Sequence, residues 1–584
     1  MGSPDFLGFG AAGWVEISLA ALLLAMALLW RPRLAGYTES LAARTGWCML
    51  LLAALPVVLR LLLLPSHPVP RPEIYDEFSH LLVADTLRHF RLANPPHPLH
   101  QFFETFFVLQ QPTYSSIYPI GQGLLLAIGW TLFGTPWAGV LLAVAAFCAL
   151  CYWMLRGWTT PGWALVGGVF AAIEFGPLNQ WTNNYWGGAL AAAAGCLVFG
   201  ALPRLRANPR RRDAILLGLG LALHLITRPY ESIFLFLAVA LWFLPMLRRR
   251  AAVRPLARFL PEAALMLLPA FALLAAQNKS VTGSWTTMPE MLSQYQYGVP
   301  SAFTFQPNPS PHYPLTPQQA MDYKMQLGFH GPQTDTLSSF LLRLEYRVRY
   351  YRFFFPAPLY LALATFLLCL RQWRYVWVAG TLALLALGVN FFPAFQLHYV
   401  AAGSCLFILI QIAGLERIHR ALPEAALLLV FLAVAQFTFW YSLHAFADTS
   451  EAARAALPYE TWDYIDHNAP TRRALVDAAL AKIPGKVLVF VRYSPRHIFQ
   501  DEWVYNRADI DGSRVVWARD LGPEENQQLR RYYADRTVLL LQPDERPAQL
   551  SRYPAEQDAQ TAQNNSSRAV VRSPASRVFV GRTR

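Results

Sequence analysis

The feature that most constrains the fold is a long series of apolar segments. The hydrocarbon layer of a bilayer is about 30 Å thick, so a helix that crosses it needs roughly 17–25 apolar residues. Segments of this kind lie at 14–30, 47–64, 137–155, 162–178, 185–203, 229–247, 259–278, 353–370, 375–392, 399–415 and 421–442, with shorter ones at 119–134 and 214–227. The sequence therefore predicts an α-helical polytopic membrane protein with about twelve or thirteen transmembrane helices.

Charged residues are sparse among these segments and frequent after them. Asp, Glu, Lys and Arg account for 47 of residues 1–442 and for 38 of residues 443–584. Because soluble domains are typically about a quarter charged, the chain divides into a membrane domain over 1–442 and a soluble region over 443–584. Within that region KVLVFVRY (486–493), SRVVWARD (513–520) and RTVLLLQPD (536–544) are typical of buried strands. We expect a small soluble α/β domain there, followed by a polar, mobile tail.

Much of the excess positive charge lies in short Arg-rich runs between apolar segments. These runs are RPR at 31–33, RLRANPRRR at 204–212, RRR at 248–250 and ERIHR at 416–420. Because Lys and Arg favour the cytoplasmic side of a membrane, the runs predict that loops 65–118 and 280–352 and the region 443–584 are external. Membrane orientation therefore explains the net charge of +13, with membrane lipids and no nucleic acid as partners. The segment 119–134 fits this topology only if it dips into the membrane or lies at its surface.

The first predicted external loop contains an adjacent acidic pair, Asp76 and Glu77. A carboxylate near a low-dielectric boundary has a raised pKa, which suits proton abstraction. The alternative is a solvated acid or a helix cap. Further along the same loop, Glu104 lies among aromatic residues in FFETFFVLQQ. Its pattern fits sugar binding or a second catalytic acid, and equally a surface-helix acid that faces water.

Further polar candidates lie at the predicted external ends of spans. They are Asn183 and Asn184 in NQWTNNYWGG, Arg228 in HLITRPYES, Lys279, and His398 with Tyr399 in FPAFQLHYV. Amides and aromatic rings suit sugars, and a guanidinium matches the geometry of phosphate. Each candidate also has a structural alternative. The aromatic residues fit an interfacial belt, Glu231 is a partner for Arg228, Lys279 can be a snorkelling anchor, and a lone histidine is often structural.

The segment YDEFSHLLVADTLRHFRLANPPHP, followed by FETFFVLQQPTYSSIYPIGQGLLLAIGWTLFG, resembles membrane glycosyltransferases of the C-type fold. That group includes protein O-mannosyltransferases, lipid A aminoarabinose transferases and rhizobial lipopolysaccharide glycosyltransferases. The shared features are an acidic pair in the first external loop, surface helices and a Pro-rich entry to the next span. The resemblance covers most of 65–442, with specific motifs at 75–77, 111–123, 181–188, 226–231 and 397–399. One departure is Tyr118-Pro119-Ile120, preceded by Ile117, where relatives have Tyr-Pro-Pro preceded by a basic residue.

The resemblance implies transfer of a sugar from a polyprenyl-phosphate-linked donor to a glycan, lipid or protein acceptor on the external face. It implies that Asp76 is the base, that Glu77 orients it or binds the acceptor, and that His398 and Tyr399 contact a substrate. A direct displacement with one base would invert the anomeric carbon. The implied location is the inner membrane of a bacterium, with the C-terminal domain in the periplasm.

The sequence leaves two other function classes open. A transporter or flippase of lipid-linked glycans would use the same polar groups without a bond change, although transport sites usually lie near the bilayer midplane. A non-catalytic scaffold would use residues 443–584 as a docking domain. No cofactor is indicated, because no spacing matches a zinc site. A divalent cation held by the acidic pair together with phosphate is the one metal alternative.

Overall fold

The computed structural model describes residues 41–247, 258–447, 450–456 and 472–553, with the single positions 18, 21, 22 and 25. Most of the predicted first span at 14–30, the basic runs at 31–33 and 248–250, and the predicted tail after 553 lie outside the described residues. The chain divides into two compact units. The first comprises Met1–Pro96 and Phe106–Ala469, and the second comprises His97–Thr105 and Pro470–Arg584.

The first unit is built from helices. In chain order they are α1 (Thr45–Leu62), α2 (Tyr75–Arg88), α3 (Ile120–Phe133), α4 (Trp137–Leu155), α5 (Pro161–Glu174), α6 (Gln180–Asn183), α7 (Ala189–Ala207), α8 (Arg211–Thr227), α9 (Pro229–Leu247), α10 (Leu260–Thr282), α11 (Pro289–Tyr297), α12 (Pro317–His330), α13 (Leu337–Val348), α14 (Tyr360–Phe366), α15 (Trp373–Val389), α16 (Ser404–Ala421), α17 (Pro423–Phe446) and α18 (Glu451–Ala456). Turns of 3₁₀ helix lie at Arg349–Phe354, Ala357–Leu359, Leu367–Arg371 and Leu397–Gly403. Two short strands, β1 (Val108–Leu109) and β2 (Ser115–Ser116), pair antiparallel.

Seven helices in the described part of the chain are long and apolar enough to cross a membrane. They are Thr45–Leu62, Trp137–Leu155, Ala189–Ala207, Pro229–Met246, Leu260–Thr282, Leu397–Ala421 and Pro423–Phe446. The bent pair Leu337–Phe354 and Ala357–Arg371 gives an eighth if it forms one span, and α3, α5 and α15 are shorter apolar helices. The prediction of an α-helical polytopic membrane protein is confirmed.

Small residues bring these helices into close contact. A side chain at Gly195 in α7 would lie 2.0 Å from the carbonyl oxygen of Ala402, and one at Gly414 in α16 would lie 2.0 Å from that of Ala362. Such close backbone approach is typical of helix packing in membranes. There the hydrophobic effect does not drive helices together, and small residues allow the close van der Waals packing that does. Glycine is therefore required at both contacts.

Helix α3 is the apolar segment whose crossing the sequence left open. It starts after Pro119 and ends at Gly134, whose φ of 76° terminates the helix in the left-handed conformation. Its 14 residues span about 21 Å at 1.5 Å per residue, which is less than the thickness of the hydrocarbon layer. The helix packs along α2, where Arg88 lies 4.4 Å from the ring centroid of Trp130.

The second unit is an α/β domain. Its strands β3 (Val487–Val491), β4 (Val515–Arg519), β5 (Thr537–Gln542) and β6 (Gln549–Arg552) form one sheet in the order β4-β3-β5-β6, with helices α19 (Arg472–Ala481) and α20 (Pro523–Tyr532). Strand β3 pairs in parallel with β4 and β5, and β6 pairs antiparallel with β5. The three strands predicted from the sequence are confirmed, as is the α/β class of the region.

A short segment of the first long loop folds into this second unit. Residues His97–Thr105 contain the 3₁₀ turn His100–Phe103, and Phe102 is fully buried with its ring 6.3 Å from that of Phe490. Arg519 Nε donates a 2.6 Å hydrogen bond to the carbonyl oxygen of Glu104. Arg519 is itself held by Glu502, with 2.5 Å between Nη2 and Oε2. The domain is therefore assembled from two distant parts of the chain.

Candidate functional site

The start of α2 is fixed by Glu77. One carboxylate oxygen of Glu77 accepts hydrogen bonds from the backbone N–H groups of Glu73 (2.8 Å) and Ile74 (3.2 Å), and the other accepts one from Tyr185 (2.9 Å). Bonds of this kind satisfy the free amide groups that every helix N-terminus exposes. Glu77 is 3% exposed, and its burial raises its pKa to about 7 while the three amide donors act against that rise. Its carboxylate therefore joins α2 to the loop before α7.

Asp76 has a different environment from its neighbour. Its side chain is partly exposed and accepts a short hydrogen bond from the Tyr118 hydroxyl. The ring of Tyr118 stacks on His80, with 4.2 Å between centroids. Burial raises the pKa of Asp76 to about 6, while the Tyr118 hydrogen bond and the positive charge of Arg228 act in the opposite direction. A carboxylate with this pKa is ionised near neutrality and is still a competent proton acceptor.

Arg228 lies between α8 and α9, where the sequence predicted a costly charge. Its Nη1 is 3.6 Å from Glu231 Oε1, and its guanidinium carbon is 5.2 Å from the ring centroid of Tyr399. Within the residues that the structure describes, the guanidinium donates no hydrogen bond, so its N–H groups are available to a ligand. The ion pair with Glu231 and the contact with Tyr399 leave it suited to an anion such as phosphate.

Two acids from the second long loop complete the site, and the sequence analysis missed both. Asp322 in α12 is fully buried, and its pKa is raised to about 7 by burial and by the negative charge of Asp76. Its Oδ2 accepts a 3.0 Å hydrogen bond from Gln326 Nε2, and its Oδ1 has no partner in the described structure. For Glu290 in α11, burial and repulsion by Glu231 raise the pKa to about 7, against the attraction of Arg228.

The two adjacent asparagines predicted as substrate ligands differ in their hydrogen bonding. Asn183 is saturated, because Oδ1 accepts from Arg60 Nε (2.8 Å) and Nδ2 donates to the carbonyls of Pro177 and Asn179 (2.9 Å each). Asn184 is buried with neither side-chain polar atom hydrogen-bonded in the part of the chain described. Of the pair, only Asn184 has an amide that is available to a ligand.

His398 and Tyr399 lie in the 3₁₀ turn Leu397–Gly403, as adjacent rings 4.9 Å apart. His398 also lies 5.4 Å from the ring of Trp186, and Tyr399 is the ring under Arg228. The structure thus brings His398 next to the 184–186 loop and Tyr399 next to the guanidinium. Both predicted residues join the neighbourhood of Asp76.

Two other predicted residues have different surroundings. Glu104 belongs to the second unit, where its Oε1 lies 3.6 Å from His100 Nδ1. Lys279 is exposed at the end of α10, and its Nζ donates a 2.6 Å hydrogen bond to the carbonyl of Gly283. This bond caps a helix C-terminus, which is a common position for a lysine. Over the described residues, no group of three or more His, Cys, Asp or Glu side chains is arranged to hold a metal ion.

No protein-family model matches the chain, and a comparison with curated proteins finds no match. Solved structures do resemble it. ArnT from Cupriavidus metallidurans in the apo state is 12% identical with a TM-score of 0.47, over 86% of this chain and 93% of that chain. The same protein bound to undecaprenyl phosphate is 12% identical with a TM-score of 0.46, over 85% and 93%. The apo oligosaccharyltransferase of Archaeoglobus fulgidus is 13% identical with a TM-score of 0.33, over 75% and 62%.

Proposed function

We propose that the chain is an integral membrane glycosyltransferase that moves a sugar from a polyprenyl-phosphate-linked donor to an acceptor hydroxyl on the external face of a bacterial inner membrane. The observation that carries this proposal is the presence, in one neighbourhood, of a carboxylate and of a guanidinium that donates no hydrogen bond among the described residues. Asp76 and Arg228 are close enough for the charge of Arg228 to lower the pKa of Asp76. The Arg-rich runs at 204–212 and 416–420 support the external side, with the C-terminal domain in the periplasm.

In the proposed reaction the acceptor hydroxyl attacks the anomeric carbon of the donor sugar. Asp76 takes the proton of that hydroxyl, a new bond forms between the acceptor oxygen and the anomeric carbon, and the bond from that carbon to the phosphate oxygen breaks. The polyprenyl phosphate leaves with an added negative charge. A single displacement of this kind inverts the anomeric carbon, whereas retention would require a carboxylate nucleophile and a covalent intermediate.

Arg228 supports the leaving group in this proposal. Its N–H donors can form two parallel bonds to a phosphate, and charge-assisted bonds of this kind are about twice as strong as neutral ones. The guanidinium carbon lies 5.2 Å from the ring centroid of Tyr399, within the range of a cation–π interaction. Arg228 therefore binds the carrier in the ground state and stabilises the charge that develops on the phosphate oxygen as the sugar leaves.

Glu77 and Tyr118 are positioning residues. Glu77 anchors the first turn of α2 through three backbone amides, and the orientation of Asp76 depends on that turn. Tyr118 donates to Asp76 and stabilises its ionised form, which keeps the pKa of Asp76 lower than burial alone would set it. The acceptor is a lipid, glycan or protein whose hydroxyl reaches Asp76.

The test is a transfer assay with the purified full chain. Undecaprenyl-phosphate-linked radiolabelled hexoses and pentoses are incubated with a bacterial envelope extract as the source of acceptors, and label is followed from the carrier to product. For at least one of the labelled sugars, we expect the label to be transferred from the carrier to a product. In the Arg228→Ala variant, at low donor concentration, the label should remain on the carrier. Arg91→Ala, which removes an exposed positive charge from the first long loop, is the matched control and should behave like the parent.

The same assay separates transfer from transport. When the chain is reconstituted into vesicles, a flippase would move the labelled lipid across the membrane with its glycosyl bond intact. Movement of intact lipid without release of label, for every sugar and acceptor fraction tried, would refute the proposal.

A further inference from the structure

Three separate parts of the chain place buried polar atoms without hydrogen-bond partners next to one another. They are Gln122 Oε1, both polar atoms of the Asn184 amide, and His398 Nδ1, from residues that are 4%, 5% and 6% exposed. Trp186 Nε1 is a further buried donor without a partner among the described residues. A buried polar group without a hydrogen bond is costly, and nearly all such groups in folded proteins have a partner. Several buried polar atoms without partners at one place therefore indicate a site where a ligand supplies the missing hydrogen bonds.

Direct contacts link Gln122 and His398 to the 184–186 loop, to which Asn184 and Trp186 belong. Gln122 Nε2 donates a 3.0 Å hydrogen bond to the carbonyl of Tyr185, which anchors the Gln122 amide to the 184–186 loop. The rings of Trp186 and His398 lie 5.4 Å apart. The backbone N–H of Tyr185 bonds to Glu77, the neighbour of Asp76 in sequence. The cluster thus lies beside the start of α2, where the proposed base is.

Gly187 lies against the amide of Gln122 in this cluster. Its φ of 97° is in the left-handed region that other residues rarely adopt. A side chain there would also place its Cβ 2.9 Å from Gln122 Oε1, and would cover the acceptor that has no partner. The absence of a side chain at Gly187 thus leaves the Gln122 Oε1 acceptor free of a covering Cβ.

The chemistry of the unpartnered atoms selects the class of ligand. The cluster offers acceptors (Gln122 Oε1 and Asn184 Oδ1), donors (Asn184 Nδ2 and Trp186 Nε1), and the ring nitrogen of His398, which can do either. A phosphate or carboxylate would use donors alone. Sugar hydroxyls both donate and accept, so a mixed, uncharged set fits them. The flat indole of Trp186 adds an apolar surface for the C–H face of a sugar ring.

We propose that Gln122, Asn184, Trp186 and His398 form the subsite that binds the hydroxyl groups of the donor's sugar ring. This inference rests on the proposed function, because it assigns the sugar to a position between the phosphate at Arg228 and the base at Asp76. Arg228 binds what all donors share, and the four-residue cluster determines which sugar is accepted.

Asn183 provides a matched control at the next position. Its amide makes three hydrogen bonds within the protein, so Asn183→Ala should lower the melting temperature. Asn184→Ala removes an amide with no bonds to lose and should leave the melting temperature unchanged or raise it, because an unsatisfied buried group has been removed. Trp186→Phe is a second variant, since it keeps an aromatic ring while it removes the N–H donor and part of the ring surface.

The experiment compares two ligands on the detergent-purified full chain. Bare undecaprenyl phosphate reports the carrier site, and undecaprenyl phosphate bearing glucose, galactose, mannose or arabinose reports the carrier and sugar sites together. We expect at least one glycosylated carrier to bind more tightly than the bare carrier. Asn184→Ala should weaken the binding of that glycosylated carrier about tenfold, which is the effect of one or two lost hydrogen bonds. Its affinity for the bare carrier should be unchanged. Trp186→Phe should do the same to a smaller extent.

The possible results separate the subsite from the proposed function. If the bare carrier binds in an Arg228-dependent way and no attached sugar adds affinity, the subsite is wrong and the carrier site stands. If a glycosylated carrier binds more tightly than the bare carrier, and this gain is the same in the parent, Asn184→Ala and Trp186→Phe, the assignment of the subsite is also wrong. If the bare carrier does not bind, or binds Arg228→Ala equally well, the proposed function and the subsite are both overturned.

Discussion

Replacing Tyr118 by phenylalanine should shift the pH dependence of transfer upward. The Tyr118 hydroxyl donates to Asp76, whose pKa of about 6 includes the lowering effect of that bond. A hydrogen bond to a charged group is worth roughly 1.5–3 kcal/mol, and one pKa unit corresponds to about 1.36 kcal/mol. Loss of the donor should therefore raise the pKa of Asp76 by about 1–2 units, to roughly 7–8.

The sign of the effect follows from the role of Asp76 as a base. Only the ionised carboxylate accepts a proton, so kcat/KM of the parent should rise as pH increases through about 6 and level off above it. In Tyr118→Phe the same rise should occur about 1–2 pH units higher. The variant should lose most of its activity at pH 6.5 and recover to within several-fold of the parent near pH 9.

The assay is transfer of radiolabel at subsaturating acceptor between pH 5 and 9. Tyr441→Phe is the matched control, because its hydroxyl donates a 2.9 Å bond to the carbonyl of Leu59 and not to an acid. It should lower stability without moving the profile. An inflection that stays near pH 6 in Tyr118→Phe, or that moves to lower pH, would refute the argument.

Two further predictions concern stability. Arg519→Met removes the guanidinium that pairs with the buried carboxylate of Glu502, so it should destabilise the second unit by about 3–5 kcal/mol, seen as faster proteolysis within 472–553. The carboxylate also accepts from Tyr493 and from the backbone N–H groups of Trp503 and Val504, so the double variant Arg519→Met/Glu502→Leu should recover only part of the loss. Equal cleavage of the parent and Arg519→Met would contradict the role of the ion pair. The pKa of Asp322 is raised to about 7 in the folded protein, above its value in the unfolded chain, so its contribution to stability should fall as pH rises from about 4 to 7. Asp322→Asn should reduce the resulting fall in melting temperature. An unchanged pH dependence would show that Asp322 is not the buried acid described.

The sequence predicted those parts of the site that depend on local pattern. A helix cap is one alternative that the sequence offers for the acidic pair, and Glu77 takes that role by accepting from the amide groups just before it, which places Asp76 in the first turn of α2. Arg228 is recognisable because a charge between two apolar helices needs a partner or a function. The strands of the second unit are likewise visible as short apolar runs. In each case the information lies within about ten residues of the feature.

The remaining features depend on contacts between distant segments. Asp322 is one of four acids in the second long loop, with nothing in its neighbourhood in sequence to single it out, and only the folding of α12 towards α2 brings it near Asp76. Glu104 is adjacent to aromatic residues whose burial occurs in a domain formed more than 350 residues later, where Arg519 binds its carbonyl. Asn183 and Asn184 have the same chemistry in the sequence. They differ because Arg60, on α1, reaches only the first of them.

The most direct test of the account is transfer by an Asp76→Asn variant that is shown to be folded. Asparagine keeps the shape of the side chain and its position beside Tyr118, and it cannot accept a proton. We predict a melting temperature close to that of the parent, retained binding of undecaprenyl phosphate through Arg228, and a loss of kcat of about 100-fold or more, the range for a missing general base. Near-parental kcat in a folded Asp76→Asn protein would contradict the assignment of Asp76 as the base.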